Sequence, residues 1–209
     1  MLPPFYLIVD RSDWLERFLP LGLSLVQLRV KDRPGSEIRR EIARARDLCA
    51  AASCQLIVND HWREALDLGC DYLHLGQEDL DSADLQAIRT AGVKLGISSH
   101  DKQELERALS LDPDYVALGP IYPTILKAMK WAPQGLERIG VWKERIGALP
   151  LVAIGGLTPE RAPGVFAAGA DSCCVVTDVL RNADPEARLR TWLDLAKAAR
   201  AGALPEQTT

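Results

Sequence analysis

The sequence contains no run of about eighteen apolar residues, so nothing in it reads as a membrane-spanning helix. It carries no excess of basic charge. The formal net charge is −4, which argues against a nucleic-acid partner, since such proteins present a basic face. It has no basic leader followed by an apolar stretch: MLPPFYLIVD runs straight into a strand-like segment, and no signal peptide is expected. It has no C-x-x-C pair. The five cysteines, Cys49, Cys54, Cys70, Cys173 and Cys174, are odd in number and read as small buried thiols of a cytoplasmic protein. The three histidines, His61, His74 and His100, follow no zinc-ligand spacing, and neither a G-x-S-x-G elbow nor a P-loop occurs. His61 and His74 read as structural, while His100 fits either ligand contact or packing at a helix start. Small molecules are thus the expected partners, with no nucleic acid and no membrane; a homo-oligomer is compatible with the sequence.

What the sequence does contain is one alternation from end to end. Short β-rich runs occur at 5–9, 25–30, 55–58, 72–75, 94–98, 115–118, 151–154 and 172–176. Between them lie segments of helical period. Residues 36–52 put Ile38, Ile42, Ala45, Leu48 and Cys49 on one face; residues 101–111 do so with Leu105, Leu109 and Leu111, and 186–199 close the chain similarly. Strands alternating with helices imply a parallel sheet with right-handed crossovers. Eight of them imply an α/β fold, a single (β/α)8 TIM barrel over residues 1–200, followed by a flexible tail at 201–209. At 209 residues the chain is short for a barrel, typically about 250, so its loops must be tight. The one long irregular segment, 119–135, is expected to be a functional lid that closes over substrate.

In this architecture the chemistry lies at the C-terminal ends of the strands. Polar and glycine residues gather there: Asp10, then Gln27, Arg29 and Lys31, then Asn59–Asp60, Gly76–Asp79, Ser98–His100, Gly119–Pro120, Gly155–Gly156 and Thr177–Asp178. Gln27, Arg29 and Lys31 alternate and so share a face. Two cations and an amide suit an anion: Arg grips phosphate oxygens bidentately and Lys acts as a point charge. Asp60 and Asp79 end neighbouring strands, and two carboxylates beside cations suit Mg²⁺ bridging to substrate phosphates. The alternative is that Asp60 merely caps a helix starting near His61. Gly155 to Glu160 reads as a glycine turn followed by a helix with Thr158 as N-cap and Pro159 at its first position, where exposed N–H groups attract phosphate.

These residues resemble the thiamine-phosphate synthase family along nearly the whole chain. The matching pieces are YLIVD (6–10), VQLRVK (26–31), IVND (57–60), HLGQED (74–79), GISSH (96–100), GPIYPT (119–124) with Lys127, QGLE (134–137), VAIGGL (152–157) and VVT (175–177). HLGQED and GPIYPT together are specific, whereas VAIGG is shared by several phosphate-binding barrels. The resemblance implies a transferase that joins hydroxymethylpyrimidine diphosphate to a thiazole phosphate and releases diphosphate through a pyrimidinyl cation. It implies that Gln27, Arg29, Lys31, Asn59, Ser98 and Lys127 hold the pyrimidine diphosphate, with Arg29, Lys31, Lys127 and Ser98 acting in catalysis. It implies Mg²⁺ on Asp60 and Asp79. It implies the thiazole phosphate on Gly156, Val176 and Thr177, with Thr124, Ile125 and Leu126 near the thiazole.

One departure from the family pattern stands out. The usual T-x-T-K is here Thr124-Ile125-Leu126-Lys127, so one hydroxyl contact to the thiazole is lost or supplied elsewhere. Three rivals remain. A paralogous thiazole tautomerase would lack the Gln77-Glu78-Asp79 segment. A sugar-phosphate isomerase would want an acid/base pair that is not evident. A catalytically silent regulatory barrel that binds the same ligands is disfavoured by intact Asp60, Asp79 and Lys127.

Overall fold

The computed structural model describes residues 2–124 and 131–203. Its strands are β1 (Phe5–Val9), β2 (Leu25–Leu28), β3 (Gln55–Asn59), β4 (Tyr72–Leu75), β5 (Lys94–Ser99), β6 (Tyr115–Leu118), β7 (Leu151–Ile154) and β8 (Ser172–Val175). The helices described are α1 (Asp13–Phe18), α2 (Gly35–Ala51), α3 (Trp62–Asp67), α4 (Leu85–Thr90), α5 (Lys102–Ser110), α6 (Gly135–Ile146), α7 (Ala162–Ala167), α8 (Thr177–Leu180) and α9 (Pro185–Arg200). The strands form one closed sheet in sequence order, and the pairs with a described register are parallel. This is the (β/α)8 barrel. The strands are short and mostly apolar, and β1, β2, β4, β6 and β8 are buried along their whole length. Continuous burial of that kind is what covered parallel strands require.

By packing, the chain divides into two compact units, Leu7–Ile97 and Met1–Tyr6 with Ser98–Thr209. In the first unit, α2 buries Ile38, Ile42, Ala45 and Cys49, at the 4-3-4 spacing that keeps one helical face inward. Full burial of such an Ile contributes about 1.5–3 kcal/mol. Leu48, expected on that face, is only half-buried. The strand register sets Asn59 across from His74, and His74 across from Gly96.

The second unit is built around aromatic residues. Trp142 and Trp192 are fully buried, Phe5 stacks on Trp192 at 5.3 Å, and the Tyr6 and Tyr115 hydroxyls meet at 2.9 Å. Of the polar side chains buried here, Ser172 Oγ has no hydrogen-bond partner among the described residues, whereas Trp142 and Ser99 are paired. Trp142 Nε1 donates to Ser99 Oγ at 2.9 Å, and Ser99 Oγ donates to the Ala117 carbonyl at 3.1 Å. In α5, Asp101 accepts the Glu104 N–H as N-cap, and Leu105 and Ala108 form the buried stripe. Leu109 and Leu111 are half-buried, so the stripe is narrower than the leucine spacing suggests.

Two boundaries differ from the sequence expectation by more than one residue. β2 stops at Leu28 rather than residue 30, although the Arg29 N–H still donates to Val9 at 2.8 Å. The helix after β7 does not start at Thr158–Pro159. Thr158 instead accepts the N–H groups of Arg161 and Ala162, both at 3.0 Å, closing a separate turn, and α7 begins at Ala162. The proline near the helix start is Pro163, not Pro159. All five cysteines are buried and free. No described helix is long and apolar enough to cross a membrane. α9 ends at Arg200, and residues 204–209 of the expected tail lie outside the described residues.

Candidate active site

In the unit Leu7–Ile97, strand-end residues assemble a polar cluster. Gln27 and Asn59 are almost wholly buried, at 2% and 5% exposure. The Asn59 side-chain nitrogen has no hydrogen-bond partner among the described residues. A buried polar group left unpaired costs about 1–3 kcal/mol, and buried groups of this kind are seldom left so. Arg29 is half-buried, and Lys31 is exposed at the rim.

Asp60 follows β3 with φ +61°, the left-handed region that Asp tolerates better than most residues. That turn takes it out of a capping position. His61 precedes α3 instead, with no side-chain cap, and its Nε2 lies 3.0 Å from the Val30 carbonyl oxygen, in keeping with a structural role. The Asp60 carboxylate forms an ion pair with Lys31. Asp79 opens a 3-10 turn, Asp79–Asp81, after β4, and its Oδ2 accepts the Gly76 N–H at 3.1 Å. A Cβ on Gly76 would stand 2.9 Å from that oxygen, so a side chain there would displace the Asp79 carboxylate.

The Asp60 and Asp79 carboxyls lie within hydrogen-bonding reach of each other. Burial pushes the Asp60 carboxyl up, but Lys31, with smaller contributions from Asp79 and His74, more than offsets this and holds it below its usual value. Burial and the neighbouring Asp60 carboxylate together hold Asp79 above its usual value. The cluster therefore carries negative charge that Lys31 only partly matches. Among the described residues no group of three or more His, Cys, Asp or Glu side chains could hold a metal ion.

The unit containing Ser98–Thr209 carries the other group. Ser98 lies in β5 and Thr124 follows β6, both half-buried. The segment after β6 runs along the end of β7: the Ile121 N–H donates to Ile154 at 2.9 Å, and the Tyr122 N–H donates to Gly155 at 3.0 Å. That contact explains the glycines. A Cβ on Gly119 would sit 2.7 Å from Ile154 Cγ2, and one on Gly155 would sit 2.7 Å from Pro120. A Cβ on Gly156 would sit 2.8 Å from Tyr122 Cβ, and Gly155 and Gly156 have φ +99° and +64°. Arg161 lies over the Tyr122 ring at 4.5 Å and donates to the Gly156 carbonyl. After β8, Val176 stands just ahead of the single turn of α8, which begins at Thr177.

His100 resolves to the packing role. Its backbone N–H donates to Glu104 Oε2 at 2.8 Å, its Nδ1 lies 2.7 Å from the same oxygen, and its ring stacks with Trp131. Ile125, Leu126 and Lys127, and with them most of the segment expected to close as a lid, lie outside the described residues.

One cluster was missed by reading strand ends alone. Asp178, the residue after the VVT ending, accepts from Arg188 Nε at 2.8 Å, Arg188 Nη2 at 2.9 Å and Trp192 Nε1 at 2.7 Å. Arg188 reaches Glu160 as well, at 3.2 Å. The available signal was the i,i+4 pair Arg188 and Trp192 at the start of an amphipathic helix.

Comparison with known proteins bears on the family. A family model described as thiamine monophosphate synthase matches residues 5–179. A thiamine-phosphate synthase of Rhizobium etli is 67% identical over 192 residues, covering 92% of this chain and 94% of that protein. One from Neisseria meningitidis serogroup A is 46% identical over 188 residues, covering 90% and 92%. A solved thiamine phosphate pyrophosphorylase from Pyrococcus furiosus superposes with a TM-score of 0.83 over 93% of this chain and 96% of its own; at 24% identity that likeness speaks to the fold. Since the family model spans β1 through α8 and these relatives match about nine-tenths of the sequence, the chain belongs to the thiamine monophosphate synthase family.

Proposed function

We propose that this enzyme joins 4-amino-2-methyl-5-hydroxymethylpyrimidine diphosphate to a thiazole phosphate, forming thiamine phosphate and releasing diphosphate in the cytoplasm. The observation that carries the reading is the cluster of Lys31, Asp60 and Asp79 beside the unpartnered Asn59 amide, in a chain 67% identical to a thiamine-phosphate synthase. Five buried free thiols suit a reducing compartment.

The donor set fits Mg²⁺. Two carboxylates in mutual reach, one held above its usual pKa by burial and by the other, carry charge that a divalent cation relieves. Mg²⁺ commonly takes one or two carboxylates and leaves its remaining positions to water and phosphate. Asp60 and Asp79 would hold it. When bound, the ion supplies charge neutralisation at a departing diphosphate. Lys31 orients Asp60 through their ion pair, and Arg29 with Lys31 provides positive charge for diphosphate oxygens. Gln27 and Asn59 offer hydrogen bonds that fix the pyrimidine, and Asn59 has an uncommitted donor for it. Gly156, Val176 and Thr177 hold the thiazole phosphate, with the first-turn N–H groups of α8 as donors. Thr124 lies beside the thiazole ring.

The reaction breaks the bond between the pyrimidine methylene carbon and the diphosphate oxygen. The electron pair leaves with diphosphate, and the electron-rich pyrimidine ring supports the resulting cation. The thiazole nitrogen then forms the new C–N bond with its lone pair. That nitrogen carries no proton, so no general base is required. The test is incubation of the purified protein with both substrates and Mg²⁺. Diphosphate and thiamine phosphate should appear in equal amounts, with none from either substrate alone. Isomerisation of the thiazole phosphate without the pyrimidine partner would favour a tautomerase instead, and absence of diphosphate release would refute the proposal.

A further inference from the structure

Arg188 lies near the start of α9 and contacts two loops at once. Through Nε and Nη2 it holds both oxygens of Asp178, the second residue of α8. Through Nη1 and Nη2 it reaches the Glu160 carboxylate, 3.2 and 3.4 Å away, in the turn that follows Gly155–Gly156. Trp192, one helical turn further along α9, adds a third donor to Asp178 and is itself fully buried against Phe5. The contact is thereby anchored to the core. Asp178 and Arg188 are largely covered, at 13% and 21% side-chain exposure, whereas Glu160 is 71% exposed.

We propose that Arg188 is a positioning residue for the thiazole-phosphate pocket, tying the loop after β7 to the loop after β8 so that Gly156 and the Val176–Thr177 turn keep one spacing. This rests on the pocket assigned under the proposed function. The charge of Arg188 is matched by two carboxylates, so it acts through position rather than by gripping phosphate. The loops need such a tie. α8 has four residues and starts without a side-chain cap, and a helix that short is not held by its own hydrogen bonds. A guanidinium suits the task because its planar fork serves two carboxylates simultaneously, which a lysine ammonium cannot match.

The experiment measures the Michaelis constants of both substrates, together with calorimetric affinity for thiazole phosphate, in R188K, E160Q and the double variant. R188K should raise KM for thiazole phosphate roughly tenfold, as loss of a residue that orients direct ligands does. E160Q removes the charge and one of the two acceptor oxygens of the arm to the β7 loop, weakens the bond from Thr158 within that loop and, being at an exposed site, leaves folding intact; its rise should be roughly threefold, the scale of a single hydrogen bond. The double variant should be no worse than R188K, because the two residues act as one unit. The KM for pyrimidine diphosphate and kcat should stay within about twofold, since neither residue makes a contact realised only in the transition state. Equal rises in both Michaelis constants, or an unchanged thiazole constant in R188K and E160Q, would overturn the clamp. If the unsubstituted chain shows no turnover, the function proposal fails on its own. The clamp is then decided by calorimetry: tenfold weaker thiazole phosphate binding in R188K upholds it, and unchanged binding, or no binding by the unsubstituted chain, overturns it.

Discussion

Asn59 is held in the fold with its amide nitrogen unpaired, and that has a cost of about 1–3 kcal/mol without ligand. Asn59→Ala removes the orphan along with some packing, so the thermal midpoint should stay level or rise. The KM for the pyrimidine diphosphate should meanwhile rise roughly threefold to tenfold, the scale of one neutral hydrogen bond. Reduced stability with an unchanged KM would mean that Asn59 is ordinary core. For Asp79, replacement by alanine should lower kcat roughly a hundredfold or more, the scale of lost electrostatic stabilisation of a developing anion, and excess EDTA should abolish turnover of the unsubstituted chain. Full turnover in EDTA would remove Mg²⁺ from the scheme. Asp60 and Asp79 were legible in the sequence because consecutive strands pair, so the ends of β3 and β4 had to be neighbours. The left-handed turn at Asp60, which takes it out of the capping position, was not legible: it depends on how the chain leaves β3, and many Asp residues in that position cap. Arg188 was equally hidden, because its contact with Asp178 is set by the placement of α9 and leaves no strand-end pattern.

At the scale of elements, the glycines after β7 are the most exacting feature. Gly155→Ala would place a methyl 2.7 Å from Pro120 at a backbone φ of +99°. Both the clash and the conformation oppose it, for a loss of about 2–4 kcal/mol in a denaturant titration. A variant as stable as the parent would mean that the loop after β6 yields freely. The turn between Gly156 and α7 also has an acid-sensitive member. A hydrogen bond from Thr158, and next Arg188, hold Glu160 at about 2, below its usual 4.5. Its stabilisation is therefore present above pH 4.5 and is lost as pH falls towards 2. The small difference in thermal midpoint between the parent and E160Q should follow that course, vanishing near pH 2; a difference that grows on acidification would contradict the assignment. Strand positions were readable to within a residue or two because burial on both faces leaves continuous apolar runs. The start of α7 was not, since Thr158-Pro159 and Ala162-Pro163 both carry a proline suited to a helix start, and the carbonyl of Thr158 closes a turn that selects the second.

For the molecule as a whole, the count of eight strands was enough to anticipate closure, since parallel strands joined by short crossovers leave few alternatives. The division into the units Leu7–Ile97 and Met1–Tyr6 with Ser98–Thr209 was not visible in the sequence, because no change in composition or linker marks it. All five thiols are buried, and burial raises Cys70 to about 11. The native chain should thus give no colour with a disulfide reagent at neutral pH, and five equivalents after guanidinium. Rapid reaction of any thiol in the native chain would show that its element opens readily. The close fit between Gly119–Tyr122 and Ile154–Gly156 has a further consequence for anyone altering this scaffold. The two loops form a single module. A library that varies residues 119–123 against a fixed Gly155–Gly156 samples mostly dead sequences, whereas grafting both segments together from one donor keeps their mutual fit and transfers a complete pocket wall.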